Sequence, residues 1–285
     1  MTPRSVRTRM NIALLRSDSD YGYAGDDGKF SRAEMQKALF SNDSLTAAML
    51  LPELLDACRA DPVRDVEGTN VDLFTACDVL NNWDRRFNSE SRGAVLFREW
   101  ITRYPDDETY LGSSLFKNGF NPAAPATTPY GLADSDQALD TLAQVVVLLG
   151  DEGIALDTAL GNLQIGHRLD RQYPLHGGNR YEGIANLQVS NSPGNNPTET
   201  PIFTGSENFI AGSNSLSETG YNVVHGSSFI MTLGWGDDGP KAEALLSYSQ
   251  SGDPDSPHFD DQTQLYAQKA WRPIRYTSDD IQANA

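Results

Sequence analysis

Basic residues are scarce in this chain: 22 lysines and arginines stand against 39 aspartates and glutamates, a formal net charge of −17 over 285 residues. Nucleic acid and anionic membrane surfaces both demand basic patches, so neither is an expected partner. Long apolar runs are lacking too. None approaches the roughly 20 residues of a membrane span, and no apolar stretch of a signal peptide follows the basic residues 1–9. Cysteine is limited to Cys58 and Cys77, too far apart for a C-x-x-C zinc or redox pair. Each lies on the apolar side of an expected helix, which leaves two readings open: a buried free thiol, or a disulfide between neighbouring helices. The signatures G-x-S-x-G, H-E-x-x-H, P-loop and dinucleotide fingerprint are all missing. The histidines (His167, His176, His225 and His258) are widely spaced and none has a ligand-spaced partner, so they read as structural or surface residues.

What is present is a globular composition, 39% apolar and 21% charged, long enough for one or two domains. Up to about residue 157 the periodicity is helical. Leu51, Leu54, Leu55 and Cys58 form one stripe, with Pro52 inside it predicting a kink or a restart. Leu73, Ala76, Cys77, Leu80, Trp83 and Phe87 form a second, and Ala94, Phe97, Ile101 and Tyr104 a third. Asp134 and Gln137 make a capping-box pair ahead of a fourth helix, with Gly150 as its expected C-cap. Residues 105–131, rich in Pro, Gly, Asn and Thr, read as a long irregular connection.

From residue 161 the pattern changes to short alternating runs, read as strands over 163–169, 181–189, 223–235 and 244–250. Phe229, Met231, Leu233 and Trp235 share one face of the third run, and 190–220 interrupts the sheet as a surface excursion. Helices first, strands second and one helix last is an α+β order. That last helix is expected from Pro257, capped by Ser256, with Asp260 and Asp261 in its first turn.

Few residues suggest chemistry directly. Asp27, Gly28, Phe30 and Glu34 fall in EF-hand register, but Tyr23 and Gly25 stand where carboxylates belong, so the segment reads as a turn before a helix capped by Ser31 and Glu34. Ser227 and Ser228 sit in a strand with no identifiable base, which argues against either as a nucleophile.

The C-terminal string S-x-S-x-D-P-x-S-P-H-F-x-D-Q (249–262), followed by W-R-P (271–273), closely resembles the end of penicillin-amidase-type acylases, the amide-cleaving N-terminal-nucleophile (Ntn) hydrolases. Within that family it resembles the acyl-homoserine lactone and aculeacin A acylases. The segments F-S-N-D-S-L-T-A-A-M-L-L-P-E-L-L (40–55), N-N-W-D-R-R-F-N-S-E-S-R-G-A (81–94), G-N-L-Q (161–164) and H-G-G-N (176–179) resemble counterparts in the same order. The resemblance implies the C-terminal portion of a β subunit, part of an Ntn-hydrolase αββα fold: a mainly helical region over 1–160, then antiparallel strands with a C-terminal helix over 161–285. It implies that the attacking serine and the oxyanion-hole asparagine lie on other parts of the acylase. The expected partners are therefore the α subunit, the N-terminal half of the β subunit and a small acylated substrate, with no cofactor and no metal. It also implies a Cys58–Cys77 disulfide and a periplasmic or secreted location, with any signal peptide outside this chain. P-R-S-V-R-T-R-M (3–10) resembles a segment whose arginine lies near the catalytic centre, and Arg7 is its best match, Arg4 and Arg9 being the alternatives. Ser227 follows His-Gly where some relatives carry a glutamate that assists a catalytic histidine, so that role is not carried over. The rival expectation is a non-catalytic binding or structural module on a decayed acylase scaffold.

Overall fold

Short polar residues ahead of apolar runs start most of the helices. The computed structural model describes residues 2–104, 114–190, 208–237 and 239–284. Ser5 caps α1 (Val6–Leu15), accepting from the Thr8 N–H. Ser31 and Glu34 form a reciprocal capping box on α2 (Arg32–Leu39), so the segment in EF-hand register is a turn into a capped helix. Ser44 caps α3 (Leu45–Ala60), which runs through Pro52 without restarting. A mid-helix proline costs about 3 kcal/mol in isolation. Here Leu50, Leu51, Leu54, Leu55 and Cys58 are all buried along the helix, and packing of that stripe outweighs the lost hydrogen bond. The next two stripes fall on α4 (Phe74–Asn82) and α5 (Ala94–Ile101). All eight residues of α5 are buried, Arg98 and Glu99 among them. Asp134 caps α6 (Ser135–Asp151) by accepting from the Gln137 N–H. The helix overruns Gly150, and its left-handed exit is Gly153, at φ 67°.

Cys58 on α3 and Cys77 on α4 are joined as a disulfide, their Cα atoms 6.6 Å apart. The bridge encloses a hairpin that the sequence pattern did not announce, β1 (Val63–Val66) paired with β2 (Thr69–Asp72). Its turn residues Glu67 and Gly68 have φ values of 51° and 85°, the two positive values that a two-residue type I′ turn requires. Across a sequence separation of 19 residues, the cross-link contributes about 3 kcal/mol on loop-entropy grounds. A second hairpin, β3 (Phe116–Asn118) with β4 (Tyr130–Leu132), lies inside the stretch read as irregular. Residues 105–113 of that stretch are outside the described residues.

Beyond residue 161, β5 (Gln164–Arg168), β6 (Arg171–Pro174), β7 (Gln188–Ser190) and β8 (Tyr221–Gly226) form a sheet in the order β6-β5-β8-β7. β5 and β8 run parallel while the other pairs of this sheet are antiparallel, so the expectation of antiparallel strands is corrected at that one pair. Parallel neighbours need a long crossover, which the intervening residues provide. The run 181–189 is a strand only at its end, because residues 180–183 form a turn with Gly183 at φ 70°. Of the excursion expected over 190–220, residues 191–207 are outside the described residues. Its remainder packs inward through buried Leu216. The run 223–235 splits into β8 and β9 (Phe229–Gly236), broken where the Ser227 N–H donates to the Leu187 carbonyl.

β9, β10 (Gly239–Leu246) and β11 (Arg272–Ile274) make a second sheet in the order β11-β10-β9. α7 (Asp261–Ala267) begins at Asp261 rather than Pro257, and it is not the last element, since β11 and α8 (Ser278–Gln282) follow. The architecture is therefore mixed helix and strand, with hairpins inside the helical half. The main core crosses residue 160, joining Leu50, Leu80, Phe97 and Leu142 to Ile184, Leu216 and Tyr221. A second core of Phe40, Leu175, Val223, Ile230, Leu245 and Tyr266 lies between the sheets. No helix among the described residues is long and apolar enough to cross a membrane.

Candidate functional site

The segments singled out in the sequence meet in space. Residues 40–44 and 85–89 lie side by side: the Phe87 N–H donates to the Asn42 carbonyl, the Ser44 N–H to the Arg85 carbonyl, and Arg86 pairs with Asp43 at 2.8 Å. H-G-G-N joins them, the Gly177 N–H donating to the Phe87 carbonyl. Gly177 has φ 102°, and a Cβ there would meet Asn186 at 2.8 Å; one on Gly178 would fall 2.2 Å from the Glu182 carboxylate. Only glycine lets the chain pass so close to these side chains.

At the centre is His176, fully buried. Its Nε2–H donates to the Tyr266 carbonyl at 2.8 Å, and its Nδ1 accepts from the side-chain amides of Asn42 and Asn186, both at 3.1 Å. The Asn42 amide also donates to Asn88 Oδ1 at 2.8 Å, and Lys269 Nζ donates to the same oxygen at 2.5 Å. Tyr266 stacks on the imidazole with ring centroids 4.6 Å apart and donates its hydroxyl to Asn186 Oδ1. Burial, with the Lys269 charge as a lesser cause, pushes the His176 pKa down to about 3. The ring is a neutral imidazole with both nitrogens engaged, a structural histidine as its spacing suggested.

A second assembly joins the helical and strand halves. Arg98 on α5 donates through Nε to Glu182 Oε1 at 2.5 Å and through Nη1 to Gln164 Oε1 at 2.7 Å, with side-chain exposures of 1% for Arg98 and 0% for Glu182. The guanidinium lies over the rings of Tyr221, at 4.7 Å, and Phe87, at 5.2 Å. Burial pulls the Arg98 pKa down, and the adjacent Glu182 carboxylate more than offsets it, leaving Arg98 above its ordinary value. Glu182 also accepts the Asn179 N–H, so Arg98 and Glu182 form a paired, hydrogen-bonded buried charge. Neighbouring Glu99 takes the hydroxyls of Tyr221 at 2.8 Å and Ser213 at 2.7 Å.

The C-terminal motif is a clasp, and it corrects the expected cap. Ser249, at φ 61°, reaches across the turn and accepts from the Gln262 and Thr263 N–H groups, both at 3.0 Å. Ser256 instead accepts from the His258 N–H, and His258 Nδ1 sits 3.0 Å from Asp261. Phe259 is fully buried between the guanidinium groups of Arg168, at 4.4 Å, and Arg171, at 5.1 Å. Asp260 pairs with Arg171 at 2.8 Å and accepts the Tyr173 hydroxyl. A cap so distant in sequence has no local spacing to betray it. Its removal in Ser249→Ala leaves two helix N–H groups without that acceptor, and we expect a loss of about 1–2 kcal/mol in urea unfolding; an unchanged midpoint would show that the clasp is incidental.

Of the three arginines near the N-terminus, Arg4 is exposed. Arg7 is half-buried and donates to the Ala185 carbonyl through Nε, at 3.2 Å, and Nη2, at 2.9 Å. Arg9 is buried, holds the carbonyls of Ala126 at 3.0 Å and Pro129 at 2.7 Å, and is lowered to a pKa of about 10 by burial. Among the described residues no serine, threonine or cysteine side chain is hydrogen-bonded to a histidine ring, and no group of three His, Cys, Asp or Glu side chains is placed to hold a metal ion. The motifs thus converge on buried polar frameworks rather than on a nucleophile and its base.

Known proteins are similar to this chain in sequence. Aculeacin-A acylase of Actinoplanes utahensis is 30% identical over 289 residues, covering 99% of this chain and 32% of that protein. Acyl-homoserine lactone acylase PvdQ of Pseudomonas syringae pv. syringae is 27% identical over 263 residues, covering 90% of this chain and 30% of the relative. The chain thus spans about a third of the length of the curated relatives it matches. Among solved structures, the thermostable penicillin G acylase of Alcaligenes faecalis overlaps at a TM-score of 0.41 with 18% identity, covering 90% of this chain and 48% of that one. The penicillin amidase family matches residues 2–283, nearly the full length, and the chain belongs to that family.

Proposed function

We propose that this chain is the scaffold portion of an acylase that hydrolyses the amide bond of N-acyl compounds, and that the attacking N-terminal serine and the oxyanion asparagine come from polypeptide outside these residues. The observation that carries the reading is the family match over residues 2–283, in a chain about a third as long as its relatives. Acyl-homoserine lactones, lipopeptides and β-lactam-type amides are the proposed substrate classes; the relatives are named as aculeacin-A and acyl-homoserine lactone acylases, and the family as penicillin amidase.

In this reading residues 1–160 form the helical excursion and 161–285 contribute strands to an αββα core, with Arg7 facing the catalytic centre. The Cys58–Cys77 bridge suits a periplasmic or secreted protein, where disulfides persist. The assembled acylase is expected to release product from a chromogenic N-acyl amide, and the 285-residue chain by itself is not. A burst of product from the purified chain alone, or no turnover by the assembly, would overturn the proposal.

A further inference from the structure

The chain contains one asparagine followed by glycine, Asn118-Gly119, at the outgoing end of β3. Without a Cβ, glycine leaves its backbone nitrogen open to approach the preceding side-chain amide, which a bulkier residue would crowd. Nothing else holds that nitrogen: the Gly119 N–H donates to no acceptor among the described residues. Asn118 is half-buried and Gly119 exposed, so water reaches the pair. The Asn118 amide donates to the Tyr130 carbonyl at 3.3 Å, a long bond that restrains it weakly. The turn itself does not demand glycine here, because Gly119 lies outside the left-handed region and a Cβ on it would meet nothing within 4 Å. Asn88 and Asn214, which precede serines, are locked by contrast. Asn88 Oδ1 accepts from both Asn42 and Lys269. Asn214 donates to the Thr102 carbonyl at 2.9 Å, and the Ser215 N–H after it is taken by the Ser213 hydroxyl.

We infer that Asn118 is a site of spontaneous covalent self-modification, in which the Gly119 nitrogen attacks the Asn118 side chain and the resulting acid loosens β4 from α3. The bond formed is Gly119 N to Asn118 Cγ, and the bond broken is Cγ to Nδ2. The proton of the Gly119 N–H passes by way of water to the departing nitrogen, and ammonia leaves. Water then opens the cyclic imide at either carbonyl, giving aspartate or isoaspartate. Asn118 Nδ2 and Glu53 Oε1 each lie 3.1 Å from the point that a Cβ on Gly131 would occupy, so the amide sits beside a carboxylate. The other Glu53 oxygen accepts the Leu132 N–H at 3.0 Å and ties β4 to α3. An acid at position 118 faces Glu53 with like charge and no longer donates to Tyr130. Isoaspartate also adds a carbon to the main chain, which disturbs the pairing of Asn118 with Tyr130. Leu115, Phe116 and Leu132 belong to the main core, so loosening this hairpin is felt by the whole fold.

The test ages the 285-residue chain in warm, mildly alkaline buffer, maps its peptides by mass and counts isoaspartate by enzymatic methylation. Asn118 is expected to convert at least about tenfold faster than Asn88 or Asn214, whose neighbours carry side chains. Gly119→Ala is expected to slow the conversion at least about fivefold while the fresh protein melts as wild type does, since the added methyl enters open space. Asn118→Gln, whose longer side chain closes a less favoured ring, is expected to show no conversion over the same period. Asn118→Asp, one of the two products, is expected to lower the urea midpoint by about 0.2–0.5 M. Aged wild type is expected to follow it, and aged Asn118→Gln to keep its fresh midpoint. Conversion of Asn118 no faster than that of Asn88 and Asn214, or equally fast in Gly119→Ala, would overturn the site. Conversion with no fall in midpoint, in aged wild type and Asn118→Asp alike, would overturn the loosening of the hairpin.

Discussion

Replacing Arg98 with methionine is expected to cost about 3–5 kcal/mol of stability, the largest loss anticipated from a single side chain in this protein. Among the described residues the guanidinium is the sole cation paired with the buried Glu182 carboxylate, and both side chains are essentially solvent-free. Removing it leaves the buried Glu182 carboxylate without its counter-ion, takes the guanidinium from the faces of Phe87 and Tyr221, and strips Gln164 of one partner. Methionine approximates the volume, so the loss reads electrostatics rather than a cavity. Glu182→Gln on the same background removes the stranded charge, and the double variant R98M/E182Q is expected to be more stable than R98M. Urea unfolding of the four proteins closes a double-mutant cycle. A single-variant loss below about 1 kcal/mol, or a double variant weaker than R98M, would show that the pair does not hold the halves together.

Mild acid is expected to weaken the fold through His176, by about 1.4 kcal/mol for each pH unit below 6.5. The sign follows from where the proton binds. In the unfolded chain the imidazole takes up a proton near its ordinary value of 6.5, whereas in the folded protein burial delays this until about 3. Between those values the unfolded state holds the extra proton. The stabilisation is therefore complete above 6.5, falls steadily below it, and is gone once the pH passes the folded value. Gln in place of His176 can still accept and donate but does not titrate in this window. His176→Gln is thus expected to lose stability at neutral pH yet show a shallower acid limb, by one proton, when melting is followed from pH 7 to pH 4. Parallel limbs for the two proteins would remove His176 as the cause.

The strength of local signals decided how much was legible beforehand. Ser31 and Glu34 sit three residues apart and the capping box followed; the α5 stripe from Ala94 to Ile101 was equally plain. Where structure depends on partners distant in sequence, spacing was silent. Ser249 caps α7 from across a turn, whereas local spacing points to Ser256, the nearer candidate. Arg98 carries no local mark of its pairing, because its carboxylate partner is 84 residues away. The strand pattern correctly put Phe229, Met231, Leu233 and Trp235 on one face, but alternation cannot say which face meets solvent. The β1–β2 hairpin was hidden because its turn is Glu67-Gly68 rather than the Asn-Gly or Asp-Gly that usually announces one. The resemblance supplied what periodicity could not, the cysteine pairing among them.

The polar knot around His176 draws on Asn42, Asn88, Asn186, Tyr266 and Lys269, which enter the world in that order as the ribosome works. The imidazole cannot donate its hydrogen bond to a carbonyl until Tyr266, 90 residues further along the chain, has emerged. A nascent chain stopped short of that residue would keep its middle unzipped, however well its helices had already formed, and quality-control proteases would meet a soft interior instead of a locked one.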